Sequence, residues 1–290
     1  MNSVIYLVAA VGSGVLNGLM AVSLKAGEQK NCRPVSFGMV FMGVAALLSL
    51  VVAWQQGSGW KGGWFWTLGA AGGVMEYGGV QAMMRANALG PASLVWTMAN
   101  MGLLVPIVLS AVFLAEPLRP VDGVLLVSFV LMLAAFHRGL RGGNGGVPLR
   151  LRPYALGLAA LFLCSGLAMF TFKLYNVWVP SAGTARLSFV MYGTAACLSA
   201  VNLLARRGWV SLSAAERRLG TAAGLAGGGS LLLMLPAMCL PAATVFPVVQ
   251  GVGMLSGVIL TGFIFRESVN AWKILGVVLS LGVVLLAVFR

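Results

Sequence analysis

Long apolar runs, separated by short clusters of glycine, proline and charge, make up nearly the whole chain. Many of them reach the roughly 20 residues that a helix needs to cross the hydrocarbon of a bilayer. The strict apolar–polar alternation of a lipid-facing barrel strand is not what these runs show. They predict helices over Val4–Leu24, Val35–Trp54, Trp64–Met84, Ala92–Leu114 and Val121–Phe136. A second set follows at Tyr154–Phe172, Ala185–Leu204, Leu219–Cys239, Ala242–Phe265 and Ala271–Phe289. The expectation is an all-α polytopic membrane protein of ten transmembrane helices. The glycine-rich, basic stretch Arg138–Pro153 divides them into five and five. Residues 1–139 form the first unit, 140–153 the linker and 154–290 the second unit.

One hydrophobic unit is written twice. PASLVWTMANMGLLVPIVLSAVFLAE (Pro91–Glu116) returns 150 positions later as PAATVFPVVQGVGMLSGVILTGFIFRE (Pro241–Glu267). Pro91-Ala92 matches Pro241-Ala242, Val95 matches Val245, Trp96 matches Phe246, Asn100 matches Gln250 and Phe113 matches Phe263. After a one-residue slip, Glu116 matches Glu267. Five helices per unit is an odd number, so the second unit enters the membrane from the opposite side. Inverted repeats of this kind place a binding site at their interface near the midplane and support alternating access.

Composition reinforces the membrane reading: 60% of residues are hydrophobic and 9% charged, against about a quarter charged in soluble proteins. A net charge of +13 would suggest nucleic acid in a soluble domain. Here the bases are scattered through short loops, as topogenic charge beside anionic lipid, and no nucleic-acid partner is expected. Loops after helices one, three, five, seven and nine carry Lys25, Lys30, Arg33, Arg85, Arg138, Arg141, Arg150, Arg152, Arg206, Arg207, Arg217, Arg218, Arg266 and Lys273. The other side carries Lys61, Arg119, Lys173, Arg186 and Arg290, a split of 14 against 5 that puts both termini outside the cytoplasm. Trp54, Trp60, Trp64, Trp66, Trp178, Trp209 and Trp272 fall near span ends as interfacial anchors. The N-terminus lacks a basic n-region and reads as the first span, not a signal peptide. A multi-pass protein of the bacterial inner (plasma) membrane is the expected setting. Cys32, Cys164, Cys197 and Cys239 show no CxxC spacing and read as small apolar residues.

The paired units, each opening its fourth helix on Pro-Ala and closing it on a glutamate (Leu114-Ala115-Glu116; Phe265-Arg266-Glu267), resemble the drug/metabolite transporter superfamily. The resemblance is to its EamA-type ten-helix members and covers essentially the whole chain. In that family the glutamate usually follows glycine or lysine; here it follows alanine and arginine. The resemblance implies secondary transport of small organic metabolites such as amino acids or amines, without naming the cargo.

The residue with most chemistry is Glu76, in GGVMEYGGVQAMM at the centre of the third span. A carboxylate in lipid costs several kcal/mol, so it must be neutral, paired or facing a wet cavity. It is the candidate substrate and proton-coupling residue; hydrogen bonding to a neighbouring helix is the structural alternative. Tyr77 and Gln81 are four residues apart on one face, and Gly72, Gly73, Gly78 and Gly79 leave room beside them. Asn17 is also glycine-flanked. The repeat mates Asn100 and Gln250 offer paired amides for substrate contact or interhelical bonding. The mates Trp96 and Phe246 offer cavity walls or plain packing. Lys25 and Lys173 close the first helix of each unit and, with Tyr175 and Tyr192, read as interfacial. Glu116 and Glu267 read as structural. Gly14/Gly18, Gly69/Gly73, Gly224/Gly228 and Gly253/Gly257 have the small-xxx-small spacing of close helix contacts.

No HExxH, GxSxG or P-loop is present, and the single histidine, His137, excludes a histidine metal cluster. No enzyme activity and no cofactor are expected. The function expected is a secondary active transporter for a small organic metabolite, proton-coupled or exchanging, acting as a monomer or a dimer. A lipid-linked carrier or flippase, or a non-transporting scaffold, are the alternatives.

Overall fold

The computed structural model describes residues 2–56, 63–89, 92–116, 119–140, 151–178, 184–205, 212–265 and 270–288. Pro91, most of the linker, Trp60, Trp209, Glu267 and several loop bases lie outside them. The described elements are all α-helices: α1 (Asn2–Gln29), α2 (Pro34–Gln55), α3 (Trp64–Leu89), α4 (Ala92–Met101), α5 (Leu104–Phe113), α6 (Pro120–Leu140), α7 (Leu151–Trp178), α8 (Thr184–Ala205), α9 (Ala214–Ala237), α10 (Ala242–Phe265) and α11 (Ala271–Val288). Among the described residues, seven helices are long and apolar enough to cross a membrane: α1, α2 and α6 to α10. The protein is thus an α-helical membrane protein. Of the others, α11 and the α4–α5 pair are apolar but short, and α3 is diluted by glycine, Glu76, Gln81 and Arg85.

The single span expected over Ala92–Leu114 is two helices. Pro106 has no N–H to give the Gly102 carbonyl, and its ring crowds that same carbonyl. Gly102 O accepts instead from Val105 N at 3.0 Å, a three-residue turn that separates α4 from α5. Pro247 sits inside α10 without breaking it.

Polar contacts fix which helix ends share a face. At one face the Glu216 carboxylate, in the first turn of α9, receives Arg33 Nε (2.9 Å), Arg33 Nη2 (3.0 Å) and the Arg33 backbone N–H (3.0 Å), just before α2. Glu216 also completes a capping box with Ser213. At the other face Lys173, near the end of α7, pairs with Glu116 beyond α5. Its ammonium also donates to Met238 O (3.2 Å) and Leu240 O (3.0 Å) between α9 and α10. We refer to these as the Glu216 face and the Lys173 face. The Trp64–Trp178 edge contact (ring centroids 5.1 Å apart) lies at the Lys173 face, and Arg138 stacked over Trp272 (4.8 Å) at the Glu216 face.

Helix contacts cross between the halves of the chain. α1 packs on α9 and α10, while α7 packs on α3, α4 and α5; α2 meets α8 and α9, while α8 meets α2 and α3; α6 meets α11. Glycine makes the closest of these approaches. A Cβ at Gly14 or Gly18 would strike Val252 or Ser256 of α10, and one at Gly69 or Gly73 would strike Val190 or Met191 of α8. One at Gly224 or Gly228 would meet Phe41 and Val44, or Ala45, of α2. All three pairs carry out the close packing their spacing suggests.

Candidate functional site

Glu76 sits halfway along α3, on the stretch of that helix whose glycines admit its neighbours. A Cβ at Gly72 would come within 2.7 Å of Thr171 Oγ1 on α7, and one at Gly78 within 3.2 Å of Cys164 Sγ. The backbone here approaches α7 and α8 so closely that Glu76 is set among their side chains. Tyr192 of α8 and Cys164 of α7 lie within electrostatic range of it. Its carboxyl lies deep in the bundle, although the residue as a whole is not fully enclosed. Among the described residues the carboxylate has neither a hydrogen-bond nor an ion-pair partner.

Two tyrosines organise the polar surroundings. The Tyr77 hydroxyl accepts from Asn202 Nδ2 of α8 at 2.9 Å. Tyr192, only 6% exposed, donates its hydroxyl proton to Gly227 O of α9 at 3.3 Å and meets the Phe41 ring edge-on at 6.0 Å. Gly227 lies 151 positions after Glu76, the same offset that separates Gly69 from Gly220 and Gly73 from Gly224. There the second half has no side chain, and a Cβ would meet the Phe41 ring at 2.7 Å and the Met20 sulfur at 2.9 Å.

The remaining candidates lie on α1, α3, α4 and α10. Gln81 is one turn beyond Tyr77 and partly accessible. Asn17 and Gln250 are brought together: Asn17 Nδ2 donates to Gln250 Oε1 at 3.3 Å, joining α1 to α10. Ser13 and Ser230 (3.0 Å), and Ser49 and Ser188 (2.7 Å), make further buried hydroxyl pairs between helices. Asn100 is buried just before the α4–α5 break. Phe246 is 1% exposed and belongs to the main apolar core. The Trp96 side chain lies outside the described residues.

Three residues read from the sequence as interfacial are enclosed by protein. Lys173, Tyr175 and Tyr192 are all buried. Lys173 spends its three ammonium protons on Glu116, Met238 O and Leu240 O, so no donor is left needing water. Sequence reasoning missed Asn202 altogether, although an amide inside an apolar run is the kind of signal that singled out Asn17. The four cysteines are free thiols. Burial first and the Glu216 charge second push the Cys32 thiol up, which favours its protonated form. No metal-binding cluster of His, Cys, Asp and Glu occurs among the described residues.

No family model matches the chain, and no curated protein does. A solved structure described only as "Crystal structure of protein" is similar along nearly all of both chains, 98% of this one and 96% of that one. It shares 15% sequence identity with a TM-score of 0.80. The likeness shows a common fold.

Proposed function

We propose that this protein is a secondary transporter for a small organic solute. Its two five-helix units are inverted repeats, residues 1–139 and 154–290, and the site lies between them around Glu76. The observation that carries the reading is a carboxylate in the middle of a membrane helix, deep in the bundle, with no partner among the described residues. A structural glutamate at that depth would be hydrogen-bonded or paired, because leaving it alone costs several kcal/mol. A transport site needs the opposite: a group that takes its partner from the cargo or from a proton, and gives it up again.

The exchange of contacts between halves supports the repeat arrangement, since α1–α9 and α1–α10 are mirrored by α7–α3 and α7–α4/α5. The resemblance to the drug/metabolite transporter superfamily points the same way. On this reading Glu76 binds a proton or a cationic group of the substrate, and Tyr77, Gln81, Asn17, Asn100 and Gln250 supply polar contacts. Trp96 and Phe246 serve as walls exposed at other points of the cycle. The bilayer is the protein's surroundings, the solute its partner, and the bacterial inner membrane its proposed location.

The test is a ligand screen by thermal unfolding of purified protein, followed by flux in proteoliposomes with and without a pH gradient. Saturation at about 100 times Kd adds about 2.7 kcal/mol of apparent stability. Glu76→Gln is expected to insert and fold but to lose pH-driven flux. Retained gradient-driven flux in that variant would remove Glu76 from the mechanism. Stabilisation by lipids alone would favour a lipid carrier.

A further inference from the structure

The two ends of the bundle are packed differently. Toward the Lys173 face, α10 is buried at every position from Ala242 to Val249. Around it Leu103, Ile107 and Ser110 of the α4–α5 region, Lys173 and Tyr175 of α7, and Met234, Leu235 and Ala237 of α9 are buried as well. α5 packs on α10 here. Toward the Glu216 face, α10 stays buried only along the side that packs α1, at Val252, Gly253 and Gly257 against Gly14 and Gly18, while Met254, Leu255 and Val258 are partly accessible and Ile259 is exposed. α4, the counterpart of α5 at this end, forms no substantial interface with α10.

Polarity follows the same division. From Glu76 toward the Glu216 face run Tyr77, Gln81 and Arg85, four residues apart on one stripe of α3, all at least partly accessible. Asn202 joins them through Tyr77. From Glu76 toward the Lys173 face come Gly72 and Gly73, closed against Thr171 and Met191, all buried.

The Lys173 end is fastened by a carboxylate from the other half. Glu116 pairs with Lys173, and its second oxygen accepts from the Ala242 N–H, the first residue of α10, at 3.1 Å. The socket is thus an ammonium plus a helix N-terminus, both of which favour an anion. Lys173, Met238, Leu240 and Ala242 all belong to residues 154–290, and Glu116 alone comes from 1–139.

We infer that this structure is the conformation whose central site faces the Glu216 side, and that Glu116 is the bolt that closes the Lys173 side. The inference rests on the transport reading for its purpose. Its geometry, one tight end and one loose end, is independent of any cargo. Exposing the site to the Lys173 side requires Glu116 to leave its socket, because that contact holds α5 against α7 and α10. The Arg33–Glu216 pair does not seal the other side; it ties α2 to α9 at the rim, with the Arg33 side chain 39% exposed.

Cys164 provides a native probe, since it lies on α7 against Gly78, beside Glu76. The experiment uses full-length protein with Cys32, Cys197 and Cys239 replaced by serine, in right-side-out and inverted vesicles. A membrane-impermeant maleimide then alkylates Cys164 from one side at a time. A version that keeps only Cys239, exposed at the Lys173 face, reports which side is which. Cys164 is expected to react at least about tenfold faster from the Glu216 side, the ratio set by a roughly 10:1 population of the two conformations. Glu116→Gln should raise the rate from the Lys173 side about tenfold, because the neutral amide no longer holds the ammonium.

Equal rates from both sides without that substitution would overturn the inference, as would a Glu116→Gln rate unchanged from the Lys173 side. Should Glu116→Gln accumulate poorly, Glu116→Asp keeps the charge one methylene short and should give an intermediate rate. The side ratio of the unsubstituted bundle decides the first half of the inference in any case. Side-selective labelling with no solute flux would reject the transport reading and leave the closure standing; flux with symmetric labelling would do the reverse.

Discussion

Ala115 shows how a single backbone angle can aim a functional side chain. It holds φ at 50°, a left-handed conformation that costs a residue with a Cβ roughly 1–2 kcal/mol. The turn sends Glu116 back over the end of α5, where its N–H reaches Ser110 O at 3.3 Å. Glycine removes the steric cost but adds about 0.5–1 kcal/mol of unfolded-chain entropy. Ala115→Gly is therefore expected to raise stability by up to about 1 kcal/mol, or leave it unchanged, in thermal unfolding of the purified protein. A loss above 1 kcal/mol would mean the alanine methyl packs in a way its φ does not suggest. Tyr192→Phe is the complementary case. It removes the bond to Gly227 O, but that carbonyl lies within α9 and keeps its intrahelical donor, so the cost is that of one ordinary hydrogen bond, about 0.5–1.5 kcal/mol. Thermal unfolding of the purified protein should register that loss. Glu76 was legible in the sequence because a carboxylate amid glycine and alanine has few structural reasons to be there. Lys173 was not. Near a helix end it looks like a side chain reaching for headgroups, and only Glu116, 57 positions earlier in the chain (173 against 116), makes it a buried one.

At the scale of elements, apolar runs placed most helices to within a few residues, because a membrane span is specified by length and hydrophobicity alone. Where they erred, on α4 and α5, the cause is a local backbone rule. Pro106 removes the donor for Gly102 O, and glycine at that carbonyl leaves the chain free to turn. The gap has a partner in α7: a Cβ at Gly166 would collide with Val105 and with Gly102 O. The break and the glycine opposite it thus fit each other. Pro106→Ala restores the missing donor and is expected to extend α4 into α5. Amide exchange at 102–106 should slow in that variant, and Cys164 labelling should fall, because a straight helix no longer follows α7. Gly166→Leu fails differently. The leucine has no space, and overpacking of this kind costs about 1–3 kcal/mol or more. Unchanged exchange in Pro106→Ala would place the cause of the break in packing and not in the proline.

The most extensive interfaces of the whole molecule each join a helix of residues 1–139 to one of 154–290: α1 with α9 and α10, α3 with α7 and α8, α2 with α8 and α9, α6 with α11. Lipid supplies no hydrophobic drive between helices, so these contacts rest on close packing and on interhelical polar bonds. Those bonds also cross the halves, at Asn17–Gln250, Ser13–Ser230, Ser49–Ser188, Arg33–Glu216 and Glu116–Lys173. Neither half could keep its surface covered alone, whereas both together need no covalent link. Cutting the chain within 141–150 should then leave a protein that assembles. Two fragments, 1–145 and 146–290, are expected to co-purify when made together and to give one cooperative unfolding transition. Either fragment made alone should aggregate or be degraded. Glu116→Gln together with Arg33→Gln removes one charged tie from each face, and in the split protein the loss should appear directly as dissociation. The two ties lie at opposite faces and share no residue, so their effects should add to within about 0.5 kcal/mol. A larger departure would show that loosening one face tightens the other, the coupling that alternating access demands.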